Sequence, residues 1–273
     1  MLQRVATHLL CTPPGGEVRR LDAAAPVTKR SRMPLFDGPP PWYVPGSPLP
    51  RPSRIAVLAP HPDDFDVIGI TLRLFQRASA TITLGVLTSG ASGVEDAFEA
   101  DPEAKRRVRE REQEASCAFF GLPPDQLHFL RLAEDPSGHL DACEANRERV
   151  ASFLSSCAPE FVFLPHGDDP NLAHQRTFAM VAGALARQDA RATMWLNRDP
   201  KTLAMREDVY VLFDAEAAEW KRTLLRHHTS QQARNLRTRG HGFDERILRG
   251  NAETARSAGR SGAFAEVFEL RDT

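Results

Sequence analysis

No two of the four cysteines, Cys11, Cys117, Cys143 and Cys157, are spaced as C-x-x-C. That excludes a thiolate zinc site or a dithiol redox motif built on such a pair. Cys117 and Cys157 sit in apolar helical contexts and suit a reducing compartment. No apolar run approaches the roughly 20 residues that a membrane-spanning helix needs. No signal-peptide core with a small-residue cleavage site stands at the N-terminus, so the expected location is cytoplasmic. Net charge is −1, and nothing electrostatic favours nucleic acid or an anionic membrane. No G-x-G-x-x-G follows the first strand pattern, which leaves a dinucleotide reading without its fingerprint.

What is present is ordinary for a soluble globular chain: 41% hydrophobic and 26% charged residues over 273 positions, enough for one large domain or two small ones. Proline concentrates in residues 1–50, where Pro13, Pro14, Pro34, Pro39, Pro40 and Pro41 discourage regular structure. This stretch is read as a proline-rich N-terminal arm, and 51–273 as the domain. Phe36, Trp42 and Tyr43 favour an arm laid over the domain rather than a free leader. Basic residues cluster at Lys105–Arg111 and Arg234–Arg239. The first cluster alternates with glutamates and reads as a solvated helix face.

From Arg54 onward, strand and helix patterns alternate. Strands are expected at Ile55–Ala59, Thr81–Leu87, Leu127–Leu132, Phe161–Leu164, Thr193–Leu196 and Val209–Phe213, with a last one at Phe264–Leu270. Helices are expected near Asp66–Ala78, Pro102–Phe120, Glu144–Ser155, Gln175–Arg187 and Ala215–His228. The remaining C-terminal stretch is mostly polar. The expected fold class is α/β: a Rossmann-like three-layer sandwich with a mostly parallel sheet, preceded by the proline-rich arm.

The most informative run is Arg54-Ile55-Ala56-Val57-Leu58-Ala59-Pro60-His61-Pro62-Asp63-Asp64. A buried strand there delivers one imidazole and two carboxylates to its C-terminal edge, where ligands bind in open α/β sheets. Phe161–Leu164 likewise runs into a polar loop carrying His166, Asp168, Asp169, Asn171 and His174. Neighbouring strands across the switch point would bring His61, Asp63, Asp64 and His174 into one crevice. Two imidazoles and one carboxylate make a three-ligand site with open positions, the usual form of a catalytic zinc site. Ferrous iron accepts the same donors. The remaining aspartate is then free to deprotonate a water. The plainer alternative, an Asp-capped helix N-terminus, leaves His61 unexplained.

These residues resemble the PIG-L/LmbE-like de-N-acetylases. The likeness runs from about Arg54 to Phe268. It is carried by Ala59-Pro60-His61-Pro62-Asp63-Asp64, by Arg109-x-x-Glu112 leading to Phe120-Gly121, and by Leu164-Pro165-His166 through His174. Trp220-Lys221 through His228-Thr229-Ser230-Gln231 and Phe264-Ala265-Glu266-Val267-Phe268 complete it. The resemblance implies a Rossmann-like, metal-dependent hydrolase that removes acyl groups from amino sugars or glycoconjugates. It places His61, Asp64 and His174 on the metal and makes Asp63 the general base.

Three departures stand out. Phe65 replaces the family's usual Glu, with Asp66 next. Gly69 alone remains of a glycine pair. Asn171-Leu172-Ala173-His174 stands where the family has H-P-D-H. Asn171 can donate to an oxyanion but cannot act as an acid; His166 and His228 are the candidates for that role, or Asp63 makes both proton transfers. With Ala173 in place of Asp, support for the ligand His174 must come from elsewhere. Arg109, His166, Asp169 and His228 are the candidate substrate contacts, along with Ser89, Ser92 and Asp168 by position alone. Arg109 alternatively pairs with Glu112. Trp42 and Trp195 would either stack on a sugar or pack internally. The expected partner is a small acylated amino sugar or glycoconjugate, with oligomeric state open and a homo-oligomer among the options. Two alternatives remain: a carbohydrate-binding or regulatory protein on the same fold, and a nucleotide-binding protein.

Overall fold

The computed structural model describes residues 35–199 and 201–273. Cys11 and the first part of the proline-rich arm lie outside the described residues. Eight strands among those described form one sheet: β1 (Trp42–Val44), β2 (Arg54–Ala59), β3 (Thr81–Val86), β4 (Leu127–Phe129), β5 (Phe161–Pro165), β6 (Thr193–Asn197), β7 (Val209–Phe213) and β8 (Phe264–Asp272). Their order is β1-β7-β8-β6-β5-β2-β3-β4. All pairings are parallel except those of β8, which runs antiparallel to both β6 and β7. The helices are α1 (Gly69–Arg77), α2 (Pro102–Phe120), α3 (Glu144–Cys157), α4 (Leu172–Arg187), α5 (Ala215–Arg226), α6 (Thr229–Arg239) and α7 (Phe243–Ser257).

Alternation within the strands explains the three layers. Side chains along a strand point to opposite faces. Ile55, Val57 and Ala59 of β2 join one core; Ala56 and Leu58 join the other. Strand β5 divides the same way, with Phe161 and Phe163 on one face and Val162 and Leu164 on the other. The first face is covered by α1, α2, α5 and α7 through Leu72, Phe75, Phe120, Leu224 and Leu248. The second is covered by α3 and α4 through Val150, Leu154, Val181 and Leu185. Trp195, fully buried on β6, anchors an aromatic cluster with Phe75, Phe163 and Phe268. Its place is the core rather than a sugar platform.

The segment 35–50 packs on this body. Phe36 is buried and stacks on Trp42 at 4.9 Å, and Trp42–Val44 forms the edge strand β1 beside β7. Strand β4 is shorter than its apolar run suggests and ends at Phe129. The polar stretch after α5 is two helices, α6 and α7, rather than irregular chain. Helix α6 escapes a hydrophobic reading because its buried residues are Ser230, Gln231 and Asn235.

Candidate active site

β2 and β5 are neighbours in the sheet, so the segments following their C-terminal ends meet. After β2, His61 N donates to Asp64 Oδ2 at 2.8 Å, and this turns the His-Pro-Asp-Asp segment back on itself. After β5, Asn171 caps α4: its Oδ1 accepts from Ala173 N at 3.0 Å. The helix therefore begins at Leu172, and His174 lies in its first turn instead of in the polar loop.

The two turns bring His61, Asp64 and His174 together, with one ligand atom from each inside a 4.8 Å cluster. His61 Nδ1 is 3.3 Å and His174 Nε2 3.8 Å from the Asp64 carboxylate. Burial pushes the Asp64 carboxyl up, but the His61 hydrogen bond and the charges of His174 and His61 outweigh it and hold it at about 2. On His174, burial opposes the proton; the Asp169 hydrogen bond and the nearby carboxylates win and raise it to about 9. Such crowding of two imidazoles and a carboxylate fits a divalent cation, which takes the place of the shared protons.

Asp63 sits beside the triad in a strained backbone, with φ at +111°. Such conformations persist only where the surroundings hold them. Here Asp63 N donates to Gln113 Oε1 at 3.0 Å, and Arg109 Nη2 donates to the Pro62 carbonyl. The same nitrogen lies 3.1 Å from Asp63 Oδ2. Gly90 lets these groups close up: at its φ of +60°, a Cβ would meet Pro62 Cδ at 3.2 Å and His61 Cβ at 3.3 Å.

Behind this layer, Arg109 is buried and also pairs with Glu112, at 3.3 Å. Glu112 in turn accepts from Ser230 N, Ser230 Oγ and Thr229 Oγ1 at the start of α6. Asp169 is equally buried. Its Oδ2 lies 3.2 Å from His174 Nδ1, which turns Nε2 towards Asp64. The support missing at Ala173 is thus supplied four residues earlier in the chain.

Two expected substrate contacts stand elsewhere. His228 is fully buried, 2.6 Å from Asp66 Oδ2, in a polar cluster with Gln113 and Ser116. His166 is buried beside Glu269, at 3.3 Å, and its Nδ1 accepts from Asp168 N. Neither lines the crevice over the triad, so neither is placed to protonate a leaving group there. Arg109 does line it, but its charge is taken by Asp63 and Glu112; Asp169 is committed to His174.

That crevice, of about 440 Å³, is lined by His61, Asp63, Asp64, Asn171 and His174 on the strand side. Its lining also contains residues that the sequence reading did not single out as contacts: Asp199, whose carboxylate lies within 4.8 Å of His174 and Asp169, Lys201 after β6, Gln231, Arg234 and Arg239 of α6, and Arg246 of α7. A signal for α7 existed, since Phe243, Ile247 and Leu248 form a helical stripe.

Residues 56–185 match the family described as PIG-L: GlcNAc-PI de-N-acetylase. The matched residues, just under half of the chain, are similar to that family. The fold is similar to that of N,N'-diacetylchitobiose deacetylase from Pyrococcus horikoshii, at a TM-score of 0.66 and 17% identity over 81% of this chain and 84% of that one. It is similar to the 4-carboxy-2-hydroxymuconate hydratase from Pseudomonas putida, at 0.61 and 17% over 80% and 95%. A deacetylase of the teicoplanin biosynthesis pathway, in complex with teicoplanin, gives 0.60 and 13% over 81% and 99%. No curated protein matches the sequence. These likenesses establish the fold, and the similar structures include both deacetylases and a hydratase. No helix among the described residues is long and apolar enough to cross a membrane.

Proposed function

We propose that this protein hydrolyses the N-acyl amide, an acetamide in the simplest case, of an amino sugar or small glycoconjugate. The cluster His61–Asp64–His174 with Asp63 at its side carries this reading. The match of residues 56–185 to the PIG-L family model and the deacetylases among the similar structures support it. We place the reaction in the cytoplasm, on a soluble small molecule.

His61, Asp64 and His174 would hold zinc or ferrous iron, and His174 Nδ1 on Asp169 is the arrangement that orients a metal-ligating histidine. Bound there, the ion would polarise the acyl carbonyl and lower the pKa of water towards neutrality. Asp63 takes the proton from the attacking water as its oxygen bonds to the acyl carbon. Arg109, with Nη2 3.1 Å from Asp63 Oδ2, fixes the position of that carboxylate. Asn171 has its Oδ1 engaged by Ala173 N, which leaves its Nδ2 hydrogens to donate to the developing oxyanion. The C–N bond then breaks. His166 and His228 do not line the crevice, and Asp63 returns its proton to the departing nitrogen, giving a carboxylic acid and an amine that ionise to carboxylate and ammonium.

Elemental analysis of purified protein beside His174→Ala tests this, followed by amine-release assays on acylated amino sugars. About one zinc or iron per chain, lost in the variant, together with amine release from an N-acetyl sugar is the expected result. Metal bound without turnover of any acylated sugar would turn the reading into a binding protein on an inherited fold.

A further inference from the structure

The second basic cluster of the sequence finds its place on the crevice wall. Helix α6 contributes Arg234 and Arg239, and α7 contributes Arg246, with Lys201 beside them after β6. The same crevice carries three carboxylates: Asp63, already paired with Arg109, Asp64 within the triad, and Asp199 beside His174.

The arginines of α5 and α6 that lie outside the crevice are paired. Arg237 makes a two-pronged contact with Glu95, while Arg222 and Arg226 share Asp244. The crevice arginines differ. Among the described residues, the side chains of Arg234, Arg239 and Arg246 have neither a hydrogen-bonding nor an ion-pair partner, and the Arg246 Nε is sealed from water without one. A guanidinium is always charged, and a shielded donor left unmade costs stability. Arg246 also feels its neighbour. Burial depresses it, the Asp199, Asp63 and Asp64 carboxylates oppose this, and the charge of Arg239 adds to the depression. Like charges held close with open donors mark a place for an anion that the protein itself does not supply. A divalent ion on the triad makes the crevice more positive still.

We propose that the substrate of this amide hydrolase carries an anionic group, a phosphate ester or a carboxylate, which Arg234, Arg239 and Arg246 grip while the amide lies over His61, Asp64 and His174. The inference rests on the hydrolase reading and adds the chemical class of the substrate. Three forked donors from two helices suit an oxyanion with several acceptor oxygens. Because Arg234 and Arg239 are exposed, their share of the binding weakens as salt is added.

The test compares amine release from N-acetylglucosamine, N-acetylglucosamine 1-phosphate and the carboxylate-bearing N-acetylmuramate. It uses metal-loaded wild type and the triple variant Arg234→Gln/Arg239→Gln/Arg246→Gln, with metal content measured for both. Calorimetric titration with glucose 1-phosphate, which has no amide, gives a readout independent of turnover. The expected result is kcat/KM about 10- to 100-fold higher on an anionic sugar than on the neutral one, a size typical of charged hydrogen bonds. In the triple variant that preference collapses, and glucose 1-phosphate binding is lost while the metal stays. Preference for the phosphate or for the muramate tells which anion is used. Equal rates on all three sugars, with equal glucose 1-phosphate binding by both proteins, overturn the proposal and leave the hydrolase reading standing. Glucose 1-phosphate binding that depends on the arginines, with no amine released from any sugar, upholds the anion site and overturns the hydrolase reading. Neither binding nor release overturns both.

Discussion

Asp169 Oδ2 stands 3.2 Å from His174 Nδ1, so a buried carboxylate from the loop before α4 backs a histidine of its first turn. Replacing that carboxylate with an amide should loosen the ring without emptying the space around it. Asp169→Asn is expected to lower metal affinity about 10- to 100-fold, measured by competition with a chromophoric chelator. An unchanged affinity would show that His174 needs no such support.

Asn171 does two separable things. As N-cap it accepts from Ala173 N, and as a proposed oxyanion donor it offers Nδ2. Aspartate caps as well as asparagine but cannot donate. Asn171→Asp should therefore keep its Tm within a few degrees while kcat falls about 10²- to 10³-fold. Asn171→Ala should lose both, with about 1 kcal/mol of stability gone with the cap. Full activity in Asn171→Asp would remove the donor role.

Metal should stabilise the fold, because the ligands come from two separate turns. Stripping the protein with a chelator and returning zinc or ferrous iron at about 100 times its Kd is expected to restore ~2.7 kcal/mol, read as a rise in Tm. In His61→Ala or His174→Ala that rise should vanish. A rise of equal size in either variant would mean that the ion binds elsewhere.

Acid sensitivity has a further source at Glu269, away from the triad. Burial pushes this carboxyl up, but hydrogen bonds from Arg206 N at 2.8 Å and Arg271 Nε at 2.6 Å, with the charges of both arginines, hold it below its ordinary 4.5. Its folded pKa is the lower one, so the unfolded chain binds more protons as pH falls. The stabilisation is complete above the ordinary glutamate range and is lost as pH drops through the depressed value. Wild type should lose Tm steeply below about pH 4.5, and Glu269→Gln should be less stable at neutral pH with a shallower acid limb. Parallel curves would rule this contribution out.

The sheet and the triad were legible because their signals are local. Ile55–Ala59 is a short apolar run ending in His-Pro-Asp-Asp, and strand alternation makes its placement in the sheet nearly obligatory. The pairing of Asp169 with His174 was not legible. It depends on Asn171 starting the helix at Leu172, and sequence spacing does not reveal which carboxylate the resulting turn presents to the ring. The crevice wall was hidden for another reason. Helix α6 buries Ser230, Gln231 and Asn235, held by partners such as Glu112 and the Gly93 carbonyl, so no hydrophobic period announces it. His166 and His228 misled because a histidine at a strand or helix end looks the same in sequence whether it faces a crevice or, like His228, lies sealed against Asp66.

Glu112 joins two halves of the protein that evolution could otherwise vary separately. One of its oxygens steadies Arg109, and through it Asp63; both its oxygens hold Thr229 and Ser230 at the head of α6. The helix presenting Arg234 and Arg239 is therefore bolted to the residue that aligns the base. Tilting α6 to admit a different ligand would disturb the proton-transfer geometry as well. New specificities are then more accessible through α7 and the segment after β6, which lack that bolt, than through α6 itself.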